Sequence, residues 1–110
     1  MTLNSYIKSI LEVLSRPVEF LKYTGDEKEF LTYTSGKKPG LFADDDNQTE
    51  IYTVSISVYS DKNYLSLIEK IIAVMKAAGF TWVDSGEDMF DEEVNLFYKV
   101  IYFQIERSEI

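Results

Sequence analysis

Acidic side chains are the main candidates for chemistry in this sequence. They form two clusters, three consecutive aspartates at residues 44–46 and six carboxylates at residues 84–93. Carboxylate oxygens bind Ca²⁺ and Mg²⁺, and a pair of carboxyl groups can act as acid and base. Consecutive aspartates point in different directions, however, and neither cluster has the spaced ligands, central glycine and distal glutamate of an EF-hand loop. We therefore expect these carboxylates to stay in water or to meet a basic protein surface, and not to hold a metal.

A basic segment at residues 36–40 is the second candidate. It reads Gly-Lys-Lys-Pro-Gly, and glycine beside lysine is a feature of phosphate-binding loops. The segment lacks the four-residue separation and the Ser/Thr of a P-loop, and Pro39 removes a backbone donor. We predict instead an exposed basic loop tip whose Lys37 and Lys38 contact an acidic patch on a neighbouring protein.

Composition excludes several classes of function. The 110 residues include no cysteine and no histidine, which removes disulfides, Cys/His zinc sites and every Ser-His-Asp or Cys-His arrangement. The net charge of -8 disfavours broad binding to nucleic acid or to anionic membranes. We predict no enzymatic activity and no cofactor; a carboxylate enzyme with a hard cation is the weakest alternative. The start of the chain has no targeting pattern and no stretch approaches the roughly 20 apolar residues of a membrane span, so a soluble intracellular protein is expected.

Apolar periodicity predicts two helices. One covers residues 3–15 and ends before Pro17, and the other begins after an N-cap at Ser60 or Asp61 and ends at Gly79. Alternation and turn residues predict the strands, with a hairpin formed by the first two and the last one central because both of its faces are apolar. These strands are residues 18–23, 29–34, 49–60, 80–84 and 94–105, with exposed loops at 35–48 and 85–93.

The order α-β-β-loop-β-α-β-β predicts an α+β fold in one domain, residues 1–110. Two helices would pack on an antiparallel or mixed sheet of about four to five strands. Residues 52–60 should place Tyr52, Val54, Ile56 and Val58 on a core face and leave a polar or partner-facing side opposite.

Ordered features of the sequence resemble a known family. They are the helix ending in Pro-Val-Glu-Phe at 17–20, the strand Tyr-Thr-Val-Ser-Ile-Ser-Val-Tyr-Ser at 52–60, the helix end Met-Lys-Ala-Ala-Gly-Phe at 75–80 and the strand Leu-Phe-Tyr-Lys-Val-Ile-Tyr-Phe at 96–103. With the acidic segments between them, they look like small tail-completion proteins of siphophages and prophages, a family that includes tail terminators and head-tail joining proteins.

The resemblance implies a structural role without an active site. Such proteins assemble as a ring, usually hexameric, on the tail tube and present a surface to the head connector, so the implied partners are copies of this chain, the tube protein and the connector protein. The implied locations are the virion tail and, during assembly, the host cytoplasm. A small monomeric bacterial adaptor or regulator that binds one protein partner is the alternative.

Opposite charges on one chain would suit the head-to-tail contact that closes a ring. We therefore take nine residues as candidate interface residues: Lys37, Lys38, Asp44, Asp45, Asp46, Glu87, Asp88, Asp91 and Glu92.

Overall fold

The computed structural model describes residues 2–38 and 50–106. Two α-helices, α1 (Leu3–Leu11) and α2 (Leu65–Ala77), and a 3₁₀ turn at Glu12–Leu14 pack on one sheet. The strands are β1 (Val18–Phe20), β2 (Phe30–Lys38), β3 (Ile51–Ser60), β4 (Thr81–Ser85), β5 (Met89–Asp91) and β6 (Leu96–Glu106).

The sheet is mixed and has six strands in the described residues, in the order β1-β2-β3-β6-β4, with β5 also paired to β6. The predicted α+β class with two helices on a mixed sheet is confirmed, with more strands than expected. β6 lies between β3 on one side and β4 and β5 on the other, as its two apolar faces predicted.

The predicted hairpin of the first two strands is wrong, because β1 runs parallel to β2 with Val18 opposite Leu31. β1 ends at Phe20, and Leu21 adopts a left-handed φ of 67° that turns the chain away from the strand. The Arg16 guanidinium, just before β1, lies 2.7 Å from the Glu29 carboxylate, just before β2. This ion pair lies where the two parallel strands begin side by side.

The core lies between the helices and one face of the sheet. Residues of the helices such as Ile7 and Ile71 are fully buried against Ile56, Ile101 and Phe103 of the central strands. The predicted alternation in β3 is confirmed, since Val54, Ile56 and Val58 are buried and the residues between them are not. Burial of each such aliphatic side chain contributes about 1.5–3 kcal/mol.

The end of α2 follows the sequence, but its beginning does not. Gly79 has a positive φ of 102°, and the N–H groups of Gly79 and Phe80 donate to the carbonyls of Lys76 and Met75, which is a Schellman motif. Ser60, however, is the last residue of β3, and the Asn63 side chain accepts the Leu65 N–H at 3.0 Å instead. The N-cap prediction was therefore wrong for both Ser60 and Asp61, because α2 begins at Leu65 and Tyr64 occupies its N-cap position.

Both predicted loops contain strand residues. β2 continues through Ser35 to Lys38, paired with β3, so part of the predicted loop at 35–48 is sheet. The predicted loop at 85–93 contains β5, whose Met89, Phe90 and Asp91 pair with β6. In each case a charged or glycine-containing composition concealed a strand, although β5 is joined to its partner β6 by a turn of only four residues.

Candidate interaction surfaces

Lys37 is not on a loop tip. It lies on β2 opposite Tyr52, and its ammonium group is 3.0 Å from the Glu50 carboxylate. The Tyr52 hydroxyl donates to the other oxygen of Glu50 at 2.9 Å. Lys38 ends β2, which also corrects its predicted loop position, and Asp44, Asp45 and Asp46 lie outside the described residues. The charge of Lys37 is therefore already paired within the chain.

The acidic segment forms a hairpin with the beginning of β6. We call residues 84–99 the acidic arm. β5 pairs with β6 from Met89 opposite Tyr98 to Asp91 opposite Leu96, and a turn at residues 92–95 joins them. Asn95 takes the left-handed conformation at φ 59°, which asparagine tolerates, and its N–H donates to the Asp91 carbonyl at 2.8 Å. The candidate residues Glu87, Asp88, Asp91 and Glu92 all lie on this arm.

Asp88 is the carboxylate that ties the arm to the rest of the fold. It accepts a hydrogen bond of 2.6 Å from the hydroxyl of Tyr64, which lies outside the arm, and within the arm the Lys99 ammonium lies 3.7 Å away. Burial, and then the hydrogen bond to Asp88, raise the pKa of Tyr64 well above its ordinary value, so the phenol stays protonated and can donate. Asp88 therefore has a positioning role within the chain.

The other arm carboxylates are solvated or make only local contacts. Asp91 accepts the N–H of Glu93 at 2.9 Å within the turn. Glu87 and Glu92 are exposed and make no hydrogen bond or ion pair with another residue that the structure describes. These charges are available to a partner.

Lys37 and the acidic arm lie at opposite ends of β6. Lys37 is level with Ile105, whereas Asp91 is level with Leu96, nine residues earlier on the same strand. At about 3.3 Å per residue this separates the two by about 30 Å along the sheet. The structure thus brings the acidic candidates of residues 87–92 together and keeps Lys37 apart from them.

Half-exposed apolar side chains accompany the carboxylates of the arm. Met89, Phe90, Val94 and Phe97 are between 45% and 49% exposed, and the Phe90 and Phe97 rings meet edge to face at 5.0 Å. Met89 and Phe90 fall in the charged loop predicted at residues 85–93 and were not among the candidate residues, whereas Val94 and Phe97 belong to the strand predicted at residues 94–105. The adjacent pair Met89-Phe90 inside an acidic run was the available signal, because two large apolar residues are unusual in a fully solvated loop.

An aromatic row crosses the sheet on the face away from the helices. Tyr23, Phe30, Tyr59 and Tyr98 follow one another with ring centroids 4.4, 4.8 and 5.1 Å apart. Phe30 is only 7% exposed although it lies outside the main core cluster. The row therefore forms a second, smaller packed cluster, which supports the end of the sheet from which the acidic arm extends.

A depression of about 350 Å³ lies at the other end of β6, lined by residues that include Thr81, Gln104 and Glu106. Among the described residues, Glu106 is the one ionisable side chain in its lining. Within residues 2–38 and 50–106, no group of three or more Asp or Glu residues is arranged to hold a metal ion. No helix in the described ranges has the length and apolar character needed to cross a membrane.

The fold is similar to that of one chain in a solved structure described as the virion of a native gene transfer agent particle. The match has a TM-score of 0.57 and covers 88% of this chain and 82% of that chain, with 12% sequence identity. At this identity the likeness concerns the fold alone. No protein-family model matches the sequence, and no curated protein matches it either.

Proposed function

We propose that this chain is a structural protein of a phage or prophage virion that caps the tail tube and joins it to the head connector, as a ring of several copies. The observation that carries the proposal is the shared fold with a chain of a gene transfer agent virion, which extends over most of both chains. The sequence resemblance to tail-completion proteins points to the same role. The proposal assigns no catalytic step to the chain.

The surfaces of the described residues suit a protein that works by contact. The arm combines half-exposed apolar side chains with solvated carboxylates, the composition of an interface with an apolar centre and a polar rim. The sheet face next to the aromatic row carries Thr34, Ser55 and Ser57, which are small, polar and half-buried. Uncharged side chains such as these can pack against another protein surface without burying an unpaired charge.

Reconstitution on tail tubes tests the proposal. Tubes assembled from the tube protein of the same phage or prophage are mixed with the purified chain, sedimented and imaged by negative-stain electron microscopy. We expect the chain to sediment with the tubes, to form a ring at one end and to stop further growth from that end. A protein of similar size and net charge serves as the control for non-specific association.

Two results would contradict the proposal. In the first, the chain stays in the supernatant both with growing tubes and with tubes that have stopped growing. In the second, it coats the sides of the tubes without affecting their growth. A chain that remains monomeric at every concentration, ignores the tubes and binds one host protein would fit the adaptor alternative instead. A monomer in the absence of tubes is compatible with the proposal, because ring assembly on the tube needs no prior ring in solution.

A further inference from the structure

The excess negative charge of the described chain is concentrated on the acidic arm. Residues 84–93 hold six carboxylates, and the one cation of the arm is Lys99, which pairs with Asp88. Outside the arm, the described side chains include eight Lys or Arg and nine Asp or Glu, which is close to balance. The arm is therefore the strongest local charge on the surface that the structure describes, and it attracts a positively charged partner.

The apolar side chains of the arm lie among these charges. Phe90 and Phe97 face the same side of the hairpin as opposite members of a cross-strand pair, and each is nearly half exposed. Met89 lies on the other side of β5, opposite Tyr98 at the end of the aromatic row. Aromatic side chains at the centre of a patch are typical of residues that dominate binding energy.

Contacts within the chain hold the arm in one conformation. The Tyr64–Asp88 hydrogen bond and the Asp88–Lys99 ion pair fix its base, and the buried Leu96 anchors its strand. A surface that is ordered before binding loses less conformational entropy on association.

The outer edge of β5 is also available for backbone pairing. β5 pairs on one side with β6 and with no strand on its other side among the described residues, so its outer backbone edge can accept an extended segment.

From this combination we propose that the acidic arm is the docking surface for an extended segment of another virion protein, with apolar side chains at its centre and Lys or Arg around them. This partner is distinct from a second copy of the chain. Two arms would repel each other, and the balanced charges of the other described surfaces offer no basic counterpart. The proposal rests on the proposed function for the identity of the partner as a virion protein, but its chemistry is tested separately.

Binding of a defined peptide tests the chemistry. The probe is a fluorescent peptide in which lysine alternates with valine or phenylalanine, and the comparison peptide has glutamate in place of lysine. Anisotropy titrations with the full chain should show binding of the lysine peptide that weakens with added salt. The double variant Phe90→Ser/Phe97→Ser should weaken binding about tenfold or more.

A variant that removes three negative charges from the arm provides a second test in case the aromatic variant folds poorly. Glu87→Gln/Asp91→Asn/Glu92→Gln preserves shape, and the new amide oxygen at position 91 can still accept the hydrogen bond within the turn. This variant should weaken binding about tenfold at low salt.

Matched controls lie away from the arm. The first is Val13→Ser/Leu21→Ser, which alters residues more than 60% exposed, and the second is Glu12→Gln/Asp26→Asn/Glu27→Gln. Both should leave binding unchanged.

Several outcomes would overturn the inference. These are failure of the lysine peptide to bind, equal binding of the glutamate peptide, and equal losses in arm and control variants. A neutralised arm that self-associates while peptide binding is unchanged would mean that the carboxylates serve only to keep edge strands apart.

Photo-crosslinking in assembled tails identifies the partner. A benzoylphenylalanine at position 90 should crosslink the chain to a different protein, at a site in that protein close to Lys or Arg. Crosslinking to a second copy of the chain would refute the proposed partner. Absence of the chain from tails would refute the proposed function alone, because the peptide titration still decides the chemistry of the arm.

Discussion

Removal of the Glu29 carboxylate should destabilise the fold by more than any other single change to an ionised group in the described chain. Glu29 accepts a hydrogen bond of 2.7 Å from Arg16 Nε and one of 2.8 Å from the Ser60 hydroxyl. Ser60 is fully buried, and the Glu29 side chain is 15% exposed. Arg16 also donates to the Leu14 carbonyl at 2.7 Å, so the three side chains join the 3₁₀ turn after α1, the beginning of β2 and the end of β3.

The magnitude follows from what each substitution leaves behind. Glu29→Ala leaves the buried Ser60 hydroxyl and Arg16 Nε without the acceptor that they share. A hydrogen bond to a charged group contributes about 1.5–3 kcal/mol, and water partly solvates Arg16, so the free energy of unfolding should fall by about 2–3 kcal/mol. For a domain of this size that lowers Tm by about 10 °C. Glu29→Gln keeps an acceptor oxygen and loses the charge, for about 1 kcal/mol.

The pH dependence of stability provides a second readout. Burial alone would raise the pKa of Glu29, but hydrogen bonds from Ser60 and Arg16 outweigh it and hold the pKa below its ordinary value of 4.5. The ionised carboxylate therefore contributes stability above pH 4.5, and this contribution is lost as the pH falls through the folded-state pKa. The difference in unfolding free energy between the wild type and Glu29→Gln should shrink over that acidic range.

Urea unfolding followed by circular dichroism measures both effects. Glu19→Gln is the matched control, because Glu19 pairs with Lys8 at 4.0 Å with both side chains at least 41% exposed, and it should change stability by less than about 0.5 kcal/mol. If Glu29→Ala costs no more than Glu19→Gln, or if the wild type and Glu29→Gln keep a constant difference down to low pH, the assigned role of this network is wrong.

Two further predictions concern the end of α2 and the base of the arm. Gly79→Ala should cost about 1–2 kcal/mol in thermal or urea unfolding, because alanine is strained at the φ of 102° that the helix end requires. Gly36→Ala, on β2 and without a positive φ, is its control and should cost less; equal costs would contradict the argument. Tyr64→Phe removes the hydrogen bond to Asp88, so amide hydrogen exchange of β5 should become faster while the core strands keep their protection. Tyr102→Phe, whose hydroxyl bonds to no described residue, should leave exchange in β5 unchanged, and an equal effect of both changes would exclude a positioning role for Asp88.

Features that depend on local sequence periodicity were predictable from the sequence. The alternation of Val54, Ile56 and Val58 identified the buried face of β3, and Gly79 identified the end of α2. The apolar character of both faces of β6 predicted its central place. Each of these depends on side chains within a few residues of one another, where spacing alone decides which face is buried.

Features decided by distant partners were not predictable. The parallel pairing of β1 with β2, with the Arg16–Glu29 pair beside it, joins residues on either side of an irregular segment. The same holds for the candidate site. Lys37 was expected at a loop tip, but it lies on β2 and pairs with Glu50, which directly precedes the neighbouring strand β3. The short strand β5 was missed for a different reason: its partner β6 follows directly after the turn at residues 92–95, but acidic neighbours concealed its two apolar residues.

The position of β6 also has a consequence for biosynthesis. The ribosome delivers β3, β4 and β5 before β6, yet each of these strands pairs with β6 in the finished sheet. Until β6 emerges from the ribosome, β3 lacks one of its two neighbouring strands, and β4 and β5 have no partner strand. The sheet can therefore be completed only after translation of residues 96–106. Pairing of β3 with β6 spans a long stretch of sequence and is therefore slow, and the cell must keep the growing chain from aggregating during that interval.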